Sequence, residues 1–315
     1  MKNIVVIGGG SGIFNVLKGL KNYPVSITSI VTTFDNGGST GILRDEFGTL
    51  PSGDIRRSLL ALSPDTGDST IRDLFTFRFP KESSLHGDNF GNLFLQALTS
   101  ISGSDVSAIK KVTEILGIKN KILPISTDNT RLHAKLENGK IIKGETNIDI
   151  PKHDGSIKIQ DVYLEPSAII YKEAYEAILN ADVVIIGPGD LYTSILANVL
   201  VEGFTDAIQK TNAKIVYILN IMTKWGETNG FKASDFAKVL LSYLKIDKLD
   251  YVICNDAPIN QKLIEKYKKE KAEPILIDKV KLKKYTKNII DEDVALQTDI
   301  VRHDAAKIAR IIMKL

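Results

Sequence analysis

Two stretches of the chain pair a buried apolar run with a glycine turn and then a helical pattern. In the first, Ile4-Val5-Val6-Ile7 leads into Gly8-Gly9-Gly10-Ser11-Gly12. In the second, Val183 to Ile186 leads into Gly187-Pro188-Gly189-Asp190-Leu191-Tyr192-Thr193-Ser194. Such a junction leaves the first N–H groups of the helix unpaired at the positive end of its dipole, which suits a phosphate. Gly9, Gly10, Ser11 and Gly12 are therefore candidate ligand contacts, as are Gly187, Pro188, Gly189, Asp190, Tyr192, Thr193 and Ser194. A tight turn with no ligand is the alternative reading. The first run is not G-x-x-x-x-G-K-[ST], which excludes a P-loop, and it lacks the third glycine of G-x-G-x-x-G.

Between these turns lies Asp35-Asn36-Gly37-Gly38-Ser39-Thr40-Gly41, just past a second strand and on the same carboxyl edge of the sheet, where ligands of open α/β sheets collect. It reads as a further binding loop, with Asp35, Asn36, Gly38, Ser39 and Thr40 as candidates. In Pro51-Ser52-Gly53-Asp54-Ile55-Arg56-Arg57, Asp54 can cap a helix, while the arginines either pair with surface carboxylates or offer planar donors to a phosphate. Arg56 is the candidate taken from this run. In His86-Gly87-Asp88-Asn89-Phe90-Gly91-Asn92 the preference goes to Asn92 over a lone loop histidine. After a later strand, Asn220 and Thr223 stand at the mouth of Asn220-Ile221-Met222-Thr223-Lys224-Trp225-Gly226-Glu227-Thr228, where Glu227 and Thr228 also suit helix capping and Trp225 a loop anchor. Arg302-His303-Asp304 either caps the last helix or grips a pyrophosphate.

The elements that must hold these residues can be read from periodicity. The chain has 315 residues, 43% hydrophobic and 25% charged, which sets aside disordered, collagen-like and membrane compositions. A net charge of +3 argues against a nucleic-acid surface. The single cysteine, Cys254, rules out an intrachain disulfide framework, and a cytoplasmic protein without a membrane anchor is expected. Short β-branched runs alternate with helical patterns, predicting one α/β domain over 1–315. Its expected form is a Rossmann-like, mainly parallel sheet with helices on both faces. Helices are expected over Gly12–Lys21, Asp54–Leu62, Ile71–Phe77, Gly91–Ile101, Asp105–Leu116 and up to Leu179, and the lysine-dense stretch 262–287 reads as a solvated helix face and loop. From about 121 to 167 the pattern turns antiparallel, with Asn138-Gly139 predicting a type I′ hairpin turn.

Taken in order, these loops together with Phe90-Gly91-Asn92-Leu93 and Gly187 through Leu196 resemble the CofD/YvcK-like family, in its gluconeogenesis factor branch, along essentially the whole chain. The resemblance implies a Rossmann-like fold with the ligand at the carboxyl edge. It also implies one of two functions. One is a regulatory protein that binds UDP-sugars such as UDP-N-acetylglucosamine and acts in cell-wall synthesis and cell shape on gluconeogenic carbon sources; a protein partner and a homo-oligomer are separate expectations. The other is a transferase of the 2-phospho-L-lactate type, with a nucleotide diphosphate-linked donor, Mg2+, and Asp35 as metal ligand and catalytic residue. Asn36 stands where the family usually has a second Asp, Ser11 where Thr is usual and Trp225 where Pro is usual; the first weakens a metal site at that loop. An NAD-type dehydrogenase fits less well, because the dinucleotide fingerprint is incomplete.

Overall fold

The first strand shows how the molecule is built. In β1 (Lys2–Gly8), Ile4 and Val6 enter one core while Val5 and Ile7 enter another, so a continuous apolar run serves a sheet covered on both faces. The computed structural model describes residues 1–65 and 70–315 and, within them, every side chain except those of Ser11, Ser39 and Ile42.

The other strands are β2 (Val25–Val31), β3 (Lys121–Pro124), β4 (Arg131–Leu136), β5 (Ile141–Lys143), β6 (Ile159–Glu165), β7 (Val183–Ile186), β8 (Lys214–Ile218), β9 (Leu249–Asn255), β10 (Thr286–Glu292), β11 (Ala295–Gln297) and β12 (Val301–His303). Seven of them form one sheet in the order β10-β9-β8-β7-β1-β2-β3, every adjacent pair parallel. Ile4 of β1 faces Ile27 of β2 on one side and Val183 of β7 on the other. The chain winds outward from β1 in one direction and from β7 in the other, so the two glycine turns leave neighbouring strands at the reversal of strand order, where α/β sheets open a crevice.

On one face the helices Gly10–Leu20, Ser52–Leu62 and Ala305–Met313 pack through Ile13, Leu17, Ile55, Leu59, Ile308 and their neighbours. On the other, Lys172–Leu179, Phe204–Lys210 and Ala233–Leu244 bury Ile178, Phe204 and Phe236. The expected helices are present to within two residues, as Gly10–Leu20, Ser52–Leu62, Thr70–Thr76, Phe90–Ser102, Asp105–Ile115 and Lys172–Leu179.

Three expectations need correction. The antiparallel part begins later than residue 121: β3 is the parallel edge of the main sheet, and the separate three-stranded sheet is β5-β4-β6, from Arg131 to Glu165. Its hairpin turn is not type I′, because only Gly139, at φ 82°, has positive φ. The Gly139 N–H donates to the Leu136 carbonyl and the Leu136 N–H to the Lys140 carbonyl, a three-residue loop with glycine in the left-handed position. The stretch after Asp35 is not loop alone either, because a helix starts there, Gly38–Phe47. Among the described residues no helix is long and apolar enough to cross a membrane.

Candidate functional site

The crevice at the reversal of strand order is a cavity of about 990 Å³, at the large end of the range for small-molecule sites. Its floor is backbone. Gly9, in extended conformation, precedes the helix Gly10–Leu20 with no side chain capping the first turn. Gly10 has φ +58°, which favours glycine. Gly12 lies so close to the second glycine turn that a Cβ there would sit 2.0 Å from the Pro188 carbonyl oxygen. The two turns are thus pressed together, and Gly9, Gly10, Gly12, Pro188 and Gly189 all face the cavity.

After Asp190 the chain enters a π-helix, Leu191–Leu196, whose wider turn places Thr193 and Ser194 on the cavity while Tyr192 is buried in the core. Glu227, on the loop after β8, accepts from the Tyr192 N–H at 3.2 Å and from the Thr193 hydroxyl at 3.3 Å. From the same loop, Asn220 accepts from the Gly189 N–H at 3.1 Å.

The other expected loops are divided by the fold. Asp35 and Gly38 line the cavity. Asn36 turns away, its Oδ1 accepting from the Thr146 N–H at 3.0 Å and hydroxyl at 3.1 Å, so it ties the loop to the antiparallel unit. Thr40, Arg56 and Asn92 form a buried network: the Arg56 guanidinium donates to Asn92 Oδ1 and to the Phe75 carbonyl, each at 3.0 Å, and the Asn92 amide donates to Thr40 Oγ1. Of the two adjacent arginines it is Arg57 that lines the cavity, paired with Asp54 at 3.2 Å. The Ser11 and Ser39 side chains lie outside the described ones. Arg302 and Thr223 line the cavity, whereas Asp304 caps the last helix through the Lys307 N–H. His303, also at the wall, donates from Nε2 to the Leu219 carbonyl at 3.0 Å; burial lowers its pKa to about 4 and keeps it neutral.

Several cavity residues have no counterpart among the residues singled out from sequence. Thr32, just past β2, is buried, its hydroxyl has no hydrogen-bond partner within the protein, and it lines the cavity. Glu145 and Asp149 come from the antiparallel unit, and Lys224 from the loop after β8. Only Arg57 carries a usable signal, its spacing of three from Asp54 on one helix face.

Carboxylates crowd this cleft and shift one another. Burial raises the pKa of Asp54 to about 6, the Asp35 charge adding to it and Arg57 opposing it. Asp35 is raised by burial, with the Gly37 N–H pulling it back. Glu145 is pushed to about 9 by burial and by Asp35 and Asp149, so it is protonated at neutral pH. A magnesium ion of a transferase would fall to Asp35 and Asp54. Both carboxylates also serve the fold: Asp35 Oδ1 accepts from the Gly37 N–H, and Asp54 accepts from Arg57 and from the Gly10 N–H.

Residues 4–295 match the family model of 2-phospho-L-lactate transferase CofD. The chain belongs to the CofD family. It is 42% identical to the gluconeogenesis factor of Halalkalibacterium halodurans, over 99% of this chain and 96% of that protein. It is 40% identical to the gluconeogenesis factor of Bacillus subtilis, over 99% of this chain and 97% of that one. A crystal structure of a Bacillus halodurans protein superposes with a TM-score of 0.93 at 41% identity, covering 99% of both chains. The α/β architecture, with its seven parallel strands and small antiparallel sheet, is that of a CofD family member.

Proposed function

We propose that this member of the CofD family is a gluconeogenesis factor that binds a nucleotide sugar, with UDP-N-acetylglucosamine as the ligand to test first. It acts in the cytoplasm as a regulator of cell-wall synthesis and cell shape on gluconeogenic carbon sources, through a protein partner and as a homo-oligomer. The observation that carries the binding step is the shared cavity. It brings two glycine turns, two helix N-termini and the cations Arg57 and Arg302 to one place, enough to receive a diphosphate without covalent chemistry. The relatives named gluconeogenesis factors support the biological role.

The second reading, a magnesium-dependent transferase acting on a nucleotide diphosphate-linked donor, is favoured by the family description and by Asp35 beside Asp54. Calorimetry with UDP-N-acetylglucosamine, UDP and GDP, paired with product analysis of UDP- and GDP-linked donors, separates the two. Saturable UDP-sugar binding with no product supports the binder. Turnover that Asp35→Ala abolishes replaces it with the transferase, and binding of none of these nucleotides overturns the reading.

A further inference from the structure

One ion group in the cleft joins three segments that are far apart in sequence. Asp149 ends a short helix of the antiparallel unit, Asp190 closes the second glycine turn, and Glu227 lies on the loop after β8. One carboxylate oxygen of each lies within 4.8 Å of one from each of the others. Glu227 has no exposed side-chain surface. Three carboxylates this close and partly dry repel strongly unless a cation sits among them, and the ion that oxygen clusters of this kind ordinarily recruit is divalent.

Here the place is filled from within. The Lys224 ammonium contacts Asp149, lies 2.7 Å from Asp190 Oδ2 and 3.3 Å from Glu227 Oε1. Its three N–H donors match three acceptors, so each carboxylate of the group has a cationic partner without a divalent ion. Burial alone would favour the neutral amine, but Glu227, Asp190 and Asp149 together raise the lysine pKa above its ordinary value.

The same seam is closed around the lysine by packing. The Asn229 amide donates to the Gly155 carbonyl, Gly155 packs against the Trp225 indole, and Pro151 packs against Gly226. The stretch from Glu145 to Pro151 that Lys224 anchors is itself a wall of the cavity.

We propose that Lys224 is a positioning residue: a built-in cation that does at this seam what a divalent ion would do, locking the antiparallel unit onto the glycine turn so that the ligand cleft has its far wall. The inference rests on the cleft being the ligand site, but its first test needs no nucleotide. Mn2+ uptake, read by paramagnetic resonance, is compared between the wild-type chain and Asp190→Asn. Equal uptake is expected, because the lysine already occupies the group; lower uptake in Asp190→Asn overturns the proposal.

The second test removes the cation. In chelator, Lys224→Ala is expected to melt several degrees below wild type and to bind UDP-N-acetylglucosamine at least tenfold more weakly, while Lys224→Arg retains most of both. Adding Mn2+ should restore the melting temperature of Lys224→Ala, and that restoration should vanish in Lys224→Ala/Asp190→Asn. A Lys224→Ala chain that folds only with Mn2+ supports the proposal equally. A loss of stability that no divalent ion restores makes the lysine an ordinary packing residue and overturns it, as does a Lys224→Ala chain indistinguishable from wild type in chelator. If no nucleotide sugar binds any variant, the binder reading fails while the Mn2+ and melting results still decide the role of Lys224.

Discussion

The cavity has two walls built on different principles. The wall at β1 and β7 is backbone: Gly9, Gly10, Gly12, Pro188 and Gly189 present main chain and the ends of helices. The opposite wall is side chain: Asp149 and Lys224 meet there from separate parts of the chain and hold one another by charge, with the protonated Glu145 beside them. The first wall tolerates no added atoms, because its job is close approach. The second tolerates changes of shape but not of charge, because mutual neutralisation is what keeps it in place.

The largest effect should come from the backbone wall. Gly12→Val puts a branched side chain where even a Cβ would be 2.0 Å from the Pro188 carbonyl oxygen. Neither partner can rotate away, so a loss of about 3 kcal/mol or more in folding stability is expected, read by urea denaturation. Gly10→Val meets no backbone, only the Arg57 guanidinium at 3.1 Å and Asp54, but it puts a β-branched residue at φ +58°, so a smaller loss of stability than at Gly12 is expected. It should stay folded and lose ligand binding by calorimetry; retained affinity would remove this turn from the site.

Next in size is the pH response of the carboxylates between the walls. The Asp54 pKa is raised from 3.8 to about 6 by burial, so the folded state holds its proton more tightly than the unfolded state. That contribution to stability is fully present below pH 3.8 and fades as the pH rises through about 6. At roughly 1.4 kcal/mol per pKa unit the effect is up to about 3 kcal/mol. Urea melts of wild type and Asp54→Asn from pH 4 to 7 should show the variant with the smaller decline, and parallel curves would refute the assignment.

How much of this is legible in the sequence differs between the walls for a physical reason. A backbone cradle is encoded locally, by glycines next to a buried strand and a helical pattern, so both turns and the parallel sheet can be read from adjacent residues. The side-chain wall depends on residues 145, 149, 190 and 224 meeting through tertiary packing, and no local spacing announces that. Arg56 and Arg57 show the limit within a single helix turn. Both are visible as cations, but which of them enters the core depends on Phe75 and Asn92, contributed by other helices. Asn36 is legible as a missing acid, yet its bond to Thr146 needs the fold of the antiparallel unit.

The arginine pair sharpens the comparison further. Arg57 is 42% exposed and lines the cavity, so Arg57→Ala should weaken nucleotide-sugar binding by about 1–3 kcal/mol with a small change in melting temperature. Arg56→Ala should do the reverse, lowering stability because Asn92 Oδ1 and the Phe75 carbonyl are left without their buried donor. Equal effects of the two on affinity would mean that the buried network shapes the site as strongly as direct contact does.

The smallest effect is expected at Arg302, and it tests whether the rim belongs to either wall. Arg302 leaves β12 exposed, while its neighbour His303 is fixed on the Leu219 carbonyl and Asp304 caps the last helix. Its guanidinium is therefore carried at the cavity edge by a rigid strand but remains in water, where a charge-assisted hydrogen bond is partly screened. Arg302→Ala should weaken UDP-N-acetylglucosamine binding by about 1 kcal/mol and leave the melting temperature of the free protein unchanged. Because the contact is exposed, the difference between wild type and variant should shrink as salt is raised, whereas the Gly10→Val loss should not. A salt-independent loss would place Arg302 against a desolvated phosphate on the backbone wall, and an unchanged dissociation constant would leave this rim outside the site.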